Sequence, residues 1–157
     1  MNTNFDFVGS GDKPALIAFA TSKWLSAATT VLQELGYKVH IAETHSDFIM
    51  RFSQIHYQVV LLEDFFGADT PEENLSLKLL QQMTMKQRRH ATVLLVGNHF
   101  QTFSSAEAFR NSVHAVLNGS ELSLLKELVE KTVTDNNDFL QNYRDVQKRV
   151  LTSGPHD

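Results

Sequence analysis

Residues 57–63 read Tyr57-Gln-Val-Val-Leu-Leu-Glu63, and a second acid, Asp64, follows directly. Val59, Val60, Leu61 and Leu62 are apolar without a break. A strand with one wet face would alternate apolar and polar residues, so this run predicts a strand buried on both faces. A strand of that kind needs helices on each side of its sheet. The flanking sequence therefore decides the fold by whether helical and strand patterns take turns along it.

They do. Upstream, Ala15–Ala20 (ALIAFA) and Lys38–Ala42 (KVHIA) are two more short strands. Between them Thr21 and Ser22 can cap a helix. On it Trp24, Leu25, Ala28, Val31, Leu32 and Leu35 recur at helical spacing, and Gly36 supplies a left-handed stop. Thr44 or Ser46 opens a shorter helix with Phe48, Ile49, Phe52 and Ile55 on one side. Downstream, Thr70-Pro71-Glu72-Glu73 combines a capping box with proline at the first helical position. It predicts a helix through Leu75, Leu79, Leu80 and Met83. The end falls near Lys86, Arg88, Arg89 and His90, where positive charge complements the helix dipole and faces water. Thr92–Val96 is a fourth strand. Ser104–Glu107 is a second capping box opening a helix with Ala108 and Phe109, His114–Leu117 is a fifth strand, and Ser120 can cap the last helix. Five strands alternating with five helices predict an α/β fold: a three-layer (βα)5 doubly wound parallel sheet with right-handed crossovers. Residues 1–14 read as a flexible lead-in, 15–134 as the domain, 135–151 as a C-terminal helical extension and 152–157 as a disordered tail.

Composition narrows the function. A chain of 157 residues is the size of one domain. Fourteen Lys and Arg against 18 Asp and Glu give a net charge of −4, without the basic excess of a nucleic-acid binder. The absence of cysteine removes disulfides, thiol catalysis and cysteine metal sites. No apolar run is long enough to span a membrane, and the first residues lack a signal-peptide pattern, so a soluble, cytoplasmic protein is expected. The seven histidines form no H-x-x-x-H or H-E-x-x-H pair. His99, near the strand-end crevice, is the one that could reach Glu63 or Asp64. Thr21-Ser22-Lys23 lacks the glycines that let a backbone cradle phosphate, and no G-x-S-x-G elbow is present. Neither a metal nor a cofactor is expected.

In open α/β sheets the working site lies at the carboxyl ends of the strands. These ends read Ala20-Thr21-Ser22, Glu43-Thr44, Glu63-Asp64, Gly97-Asn98-His99 and Asn118-Gly119. Together with Leu35-Gly-Tyr-Lys-Val39 and Tyr57–Glu63, the order of elements resembles the receiver domain of two-component response regulators over roughly residues 15–130. The resemblance implies a receiver- or flavodoxin-like sheet and a specific set of site positions. In working receivers an acidic pair after the first strand holds Mg²⁺, and an Asp ending the third strand accepts the phosphoryl group. A Ser or Thr after the fourth strand and a Lys after the fifth read its state. Those positions fall here on Ala20 and Thr21, Glu63, Gly97 and Gly119. Every one departs from the pattern, so the chain resembles a degenerate pseudo-receiver. Without the acidic pair Mg²⁺ loses oxygen ligands, and without the Lys a phosphoryl oxygen loses its cation. Glu63 is expected to be a solvent-facing acid at a strand end, with mimicry of a phosphorylated state as the other reading. A one-residue shift would present Asp64 instead.

The C-terminal stretch carries Leu122, Leu125, Val129, Thr132, Asn136, Phe139, Tyr143, Val146 and Val150 in steps of three and four, a heptad-like seam. One continuous helix could project and pair with another copy, with Asn136 setting register. The poor helix formers Asp135-Asn136-Asn137-Asp138 favour a break or kink instead. By resemblance, a docking face on the fourth helix, fifth strand and fifth helix would include Phe103, Phe109, Val113, Leu122, Leu125 and Val129, extended by Phe139, Tyr143, Val146 and Val150. The expected function is a non-catalytic signalling module acting through protein–protein contacts with a partner or itself, as a homodimer. Two other classes stand beside it. One is an atypical phosphoacceptor using Asp64 or Glu63. The other is a flavodoxin-like module holding a small anion or nucleotide at Thr21-Ser22 and Gly97-Asn98.

Overall fold

The computed structural model describes residues 7–84, 88 and 90–152. Strands β1 (Pro14–Ala18), β2 (Lys38–Ile41), β3 (Val59–Glu63), β4 (Thr92–Gly97) and β5 (Ala115–Asn118) form one sheet in the order β2-β1-β3-β4-β5. All neighbours run parallel. Helices α1 (Ser22–Glu34), α2 (His45–Gln54), α3 (Leu75–Gln82), α4 (Ser105–Arg110) and α5 (Leu125–Thr152) alternate with them.

The unbroken apolar strands divide their side chains by parity. Leu16, Val60, Leu62, Val93 and Leu95 face one way, against Phe48 and Phe52 of α2 and Leu77 and Leu80 of α3. Ile17, Val59, Leu61, Leu94 and Val96 face the other, against Ala28 and Leu32 of α1 and Leu125, Leu128 and Val129 of α5. The predicted three layers are present. Strand order reverses between β1 and β3, which opens a crevice at their carboxyl ends.

Several local expectations change. Pro71–Glu73 makes only a 3-10 turn, and α3 starts at Leu75 under Asn74, whose Oδ1 accepts from Leu77 N at 3.1 Å. Asn74 is fully buried, and its amide donates to the carbonyls of Glu63 (2.9 Å) and Asp64 (3.1 Å). A cap that also fastens the end of β3 displaces one that only starts a helix. Helix α3 ends at Gln82, before the basic cluster. Lys86 and Arg89 lie outside the described residues. Arg88 is buried rather than solvated, and it donates to Leu80 O in the last turn of α3 and to Ser112 O, each at 2.7 Å. Ser120 lies in a 3-10 turn capped by Asn118, and α5 begins at Leu125, four residues later than a Ser120 cap would place it.

The favoured break at 135–138 does not occur: α5 is helical through that tract. Its buried residues continue from Leu125, Leu128, Val129 and Thr132 to Asn136 and Leu140. Asn136 donates to Thr92 Oγ1 at 3.2 Å, so it bonds within its own domain rather than to a second copy. Burial of one face outweighs weak helix propensity, which costs only a few tenths of a kcal/mol per residue. The exposed Lys131–Asp135 pair (3.1 Å) helps the helix across that point. The expected division at residue 134 therefore falls inside one helix.

Candidate functional site

The chain turns out of β1 at Phe19 and enters α1 at Ser22, leaving the backbone N–H groups of Ala20 and Thr21 aimed into the crevice. Glu63, the last residue of β3, reaches them. Its Oε1 accepts from Ala20 N (3.0 Å) and Thr21 N (2.9 Å), and its Oε2 accepts from Thr21 Oγ1 (3.0 Å). Glu63 is only 5% exposed, which corrects the expectation of a solvent-facing acid. A carboxylate at the amino end of a helix is favoured by the helix dipole and leaves fewer N–H groups unsatisfied there. Thr21 sits at the N-cap position of α1 but makes no capping bond, and its hydroxyl donates to Glu63 instead.

Asp64 is buried beside it. Its Oδ1 accepts from Phe65 N at 2.9 Å, and its carboxylate lies against Gly97 so closely that a Cβ there would overlap it. Gly97 is thus the residue that makes room for Asp64. At the far wall the Trp24 indole covers Gly119, and a Cβ on that residue would enter the ring. Asn118 closes the rim by donating from its side chain to the carbonyls of Asn98 (3.2 Å) and Phe100 (2.9 Å). The structure brings Ala20, Thr21, Glu63, Asp64, Gly97 and Gly119 to one crevice, where three of the chain's own side chains stand against these positions. Glu63 occupies the α1 terminus, Asp64 the place over Gly97, and Trp24 the place over Gly119. Of the positions named for an anion, Thr21-Ser22 and Gly97-Asn98, Thr21 N and Gly97 are covered, while Ser22 and Asn98 are exposed. Asn74 escaped the sequence reading, which named Trp24 only as a residue of the helix's apolar face and Asn118 only as a strand end. The signal for Trp24 was a large aromatic in the first turn of α1 facing a glycine at the end of β5.

His99 is exposed and sets its ring 6.2 Å from that of Phe65. Among the described residues it makes no hydrogen bond to Glu63 or Asp64, and no cluster of three or more His, Asp or Glu is arranged to hold a metal ion. No described helix is long and apolar enough to cross a membrane.

Burial, and secondarily the neighbouring Glu63 carboxylate, hold the Asp64 pKa above its ordinary value, while the Phe65 N–H and His99 act against the shift. The folded state therefore binds the Asp64 proton more tightly than the unfolded chain does, and this residue removes stability as pH rises through the carboxylate range. Asp64→Asn is expected to raise the melting temperature at pH 7 and to leave it nearly unchanged at pH 4. Thermal unfolding at the two pH values checks this, and an equal shift at both would contradict it.

No protein-family model matches the chain, and no curated protein matches it in sequence. Solved structures do match in fold. A response regulator from Thermotoga maritima is similar with a TM-score of 0.60 at 15% identity, over 78% of this chain and 98% of that one. A CheY-like response regulator receiver domain protein from Methanospirillum hungatei gives 0.60 at 17% identity, over 82% and 98%. NtrX from Brucella abortus gives 0.62 at 15% identity over 88% of this chain, which spans only 30% of NtrX. The chain has the receiver fold: a parallel sheet of order 2-1-3-4-5 with alternating helices, continued by a long C-terminal helix.

Proposed function

We propose that this chain is a pseudo-receiver: a non-catalytic signalling module that takes no phosphoryl group and acts through protein–protein contacts, as a homodimer. The observation that carries this reading is the Glu63 carboxylate bound to Ala20 N, Thr21 N and Thr21 Oγ1. An anion built into the chain holds the place where a metal-bound phosphoryl group would need room and donors.

The contact face is smaller than the sequence suggested. Val113, Leu125 and Val129 are core residues and drop out of it, and Leu122 packs partly against the core. Phe139, Tyr143, Val146 and Val150 stay exposed and make up the face, whereas Phe103 and Phe109, also exposed, lie before and on α4, outside that helix and outside the proposed face. On α5 the residues 139, 143, 146 and 150 continue the same angular stripe as the buried Leu125–Leu140 set, since a helix advances about 100° per residue. A second copy of that stripe is the occupant that suits it.

Titration with Mg²⁺ and beryllofluoride, read by amide NMR, tests the first half. The expected result is no saturable shift at Glu63, Asp64 or Gly97; saturable shifts there would make the chain a phosphoacceptor, with Asp64 the residue to replace. Light scattering tests the second half. The full chain is expected at twice its monomer mass and Val146→Glu at one. A wild-type monomer at high micromolar concentration ends the homodimer reading.

A further inference from the structure

At the amino ends of β4 and β5, the pole opposite the crevice, a groove of about 490 Å³ opens between α3, α4 and α5. Met83, Phe109, Val113 and Leu140 give it apolar walls, and Arg88 and His114 line it as well. Arg88 is 8% exposed. Its Nη1 donates to Leu80 O and its Nη2 to Ser112 O, both neutral carbonyls. Among the described residues no Asp or Glu pairs with it. The flanking Met85, Lys86, Gln87 and Arg89 have no carboxylate to offer. Buried charges are ordinarily paired, because taking one out of water is costly and neutral acceptors recover only part of that cost. Burial lowers the Arg88 pKa, yet a guanidinium keeps its proton at neutral pH.

The neighbouring imidazole does not supply the missing charge and does not add a second cation. His114 Nδ1 accepts from Val93 N at 2.9 Å. His114 is open to solvent on one side, but loss of water around its ring, and then Arg88, push its pKa down to about 4, so it is neutral at pH 7. Among the described residues the groove therefore offers one buried cation beside an apolar wall. That charge matches a single carboxylate, and the neutral Ser112 and Asn136 side chains on the same lining can add hydrogen bonds to it.

We propose that this groove binds a small amphipathic carboxylate, its acid on Arg88 and its apolar body along Met83, Phe109, Val113 and Leu140. The volume lies within the range of small-molecule sites. The site is independent of whether the crevice takes a phosphoryl group. Its test reads ligand shifts alone.

The test is an amide NMR titration of the full chain with sodium octanoate and, separately, with 1-octanol, which has the same body without the charge. Octanoate is expected to give saturable shifts at Ser112, Val113 and Leu140, and octanol to bind roughly tenfold more weakly, as loss of one charge-assisted contact implies. Arg88→Met should erase the preference for octanoate. Because Arg88 is buried and that variant could unfold, Phe109→Asp provides a second probe. Phe109 is 87% exposed, so the fold should persist while octanoate binding weakens about tenfold through a like charge on the rim. No saturable shift with octanoate in the millimolar range, equal binding of octanol to the wild type, or undiminished binding to Phe109→Asp would each overturn the proposal.

Discussion

Replacing Glu63 with alanine will lower the unfolding free energy by about 3 kcal/mol, the sum expected when several hydrogen bonds to a buried charged acceptor are lost and water recovers part of them. Glu63 accepts from two backbone N–H groups and one hydroxyl. Ala20 is exposed, so its N–H can turn to water, which keeps the loss below three full bonds. A further few tenths of a kcal/mol comes from removing an anion at the start of α1. Relief of repulsion with Asp64 acts the other way and is smaller, since that repulsion ranks behind burial in raising the Asp64 pKa. Glu63→Gln should cost about 1 kcal/mol, because its amide oxygen can still take both N–H groups while the charge is lost. Glu63→Asp, which restores the residue type of a working receiver, should behave more like alanine, being one methylene too short to reach Thr21. Urea denaturation midpoints with unchanged slope are the measurement. An alanine variant as stable as the wild type would mean that the carboxylate does not hold the α1 terminus in solution.

The second large effect is expected at Gly119. Lysine there restores the receiver's cation by residue type, but its Cβ must enter the Trp24 ring. The indole is partly buried against the α1–α5 side of the core and cannot move without leaving that contact. Overpacking of this kind costs about 1–3 kcal/mol, and displacing the ring brings Gly119→Lys to the upper end of the range. Gly119→Ala should already cost most of it, since the first carbon makes the collision. A double-mutant cycle separates this from a general intolerance of the site: in a Trp24→Ala background the lysine should cost far less. Additive losses would show that the ring and the glycine are not coupled. Gly97→Ser is a parallel case, with the Asp64 carboxylate as the obstacle.

The layers were legible because the central strands β1, β3 and β4 are apolar at nearly every position and each helix at only some, a difference in period that survives any tertiary context. What misled was local chemistry with a long-range purpose. Thr70-Pro71-Glu72-Glu73 has every mark of a helix start, yet the helix begins at Leu75 under the cap Asn74, which is also needed by two carbonyls ten and eleven residues back. Asp135–Asp138 reads as a break until Asn136 is seen bonded to Thr92 and Leu140 buried two positions beyond the tract. At the crevice, the residues missing from the receiver pattern could be counted along the chain. The groups standing in their place could not, because Trp24 over Gly119 and Glu63 on Thr21 are pairings across 95 and 42 residues.

Helix α5 joins the two poles of the molecule. Its root follows the turn that begins at Gly119 under Trp24, and it passes Thr92 at the opposite end of the sheet before leaving the domain. Residues 141–152 then reach about 18 Å into solvent at 1.5 Å per residue. It is a stiff rod clamped at one end, and its tip magnifies what happens at the clamp. A tilt of about 10° at Leu140 would carry Thr152 sideways by roughly 3 Å, and a slip of the root by a single residue would swing Tyr143, Val146 and Val150 through about 100°. Any change of bearing at the root, six residues after the glycine that Trp24 covers, would be carried some 40 Å along a 28-residue helix to its tip.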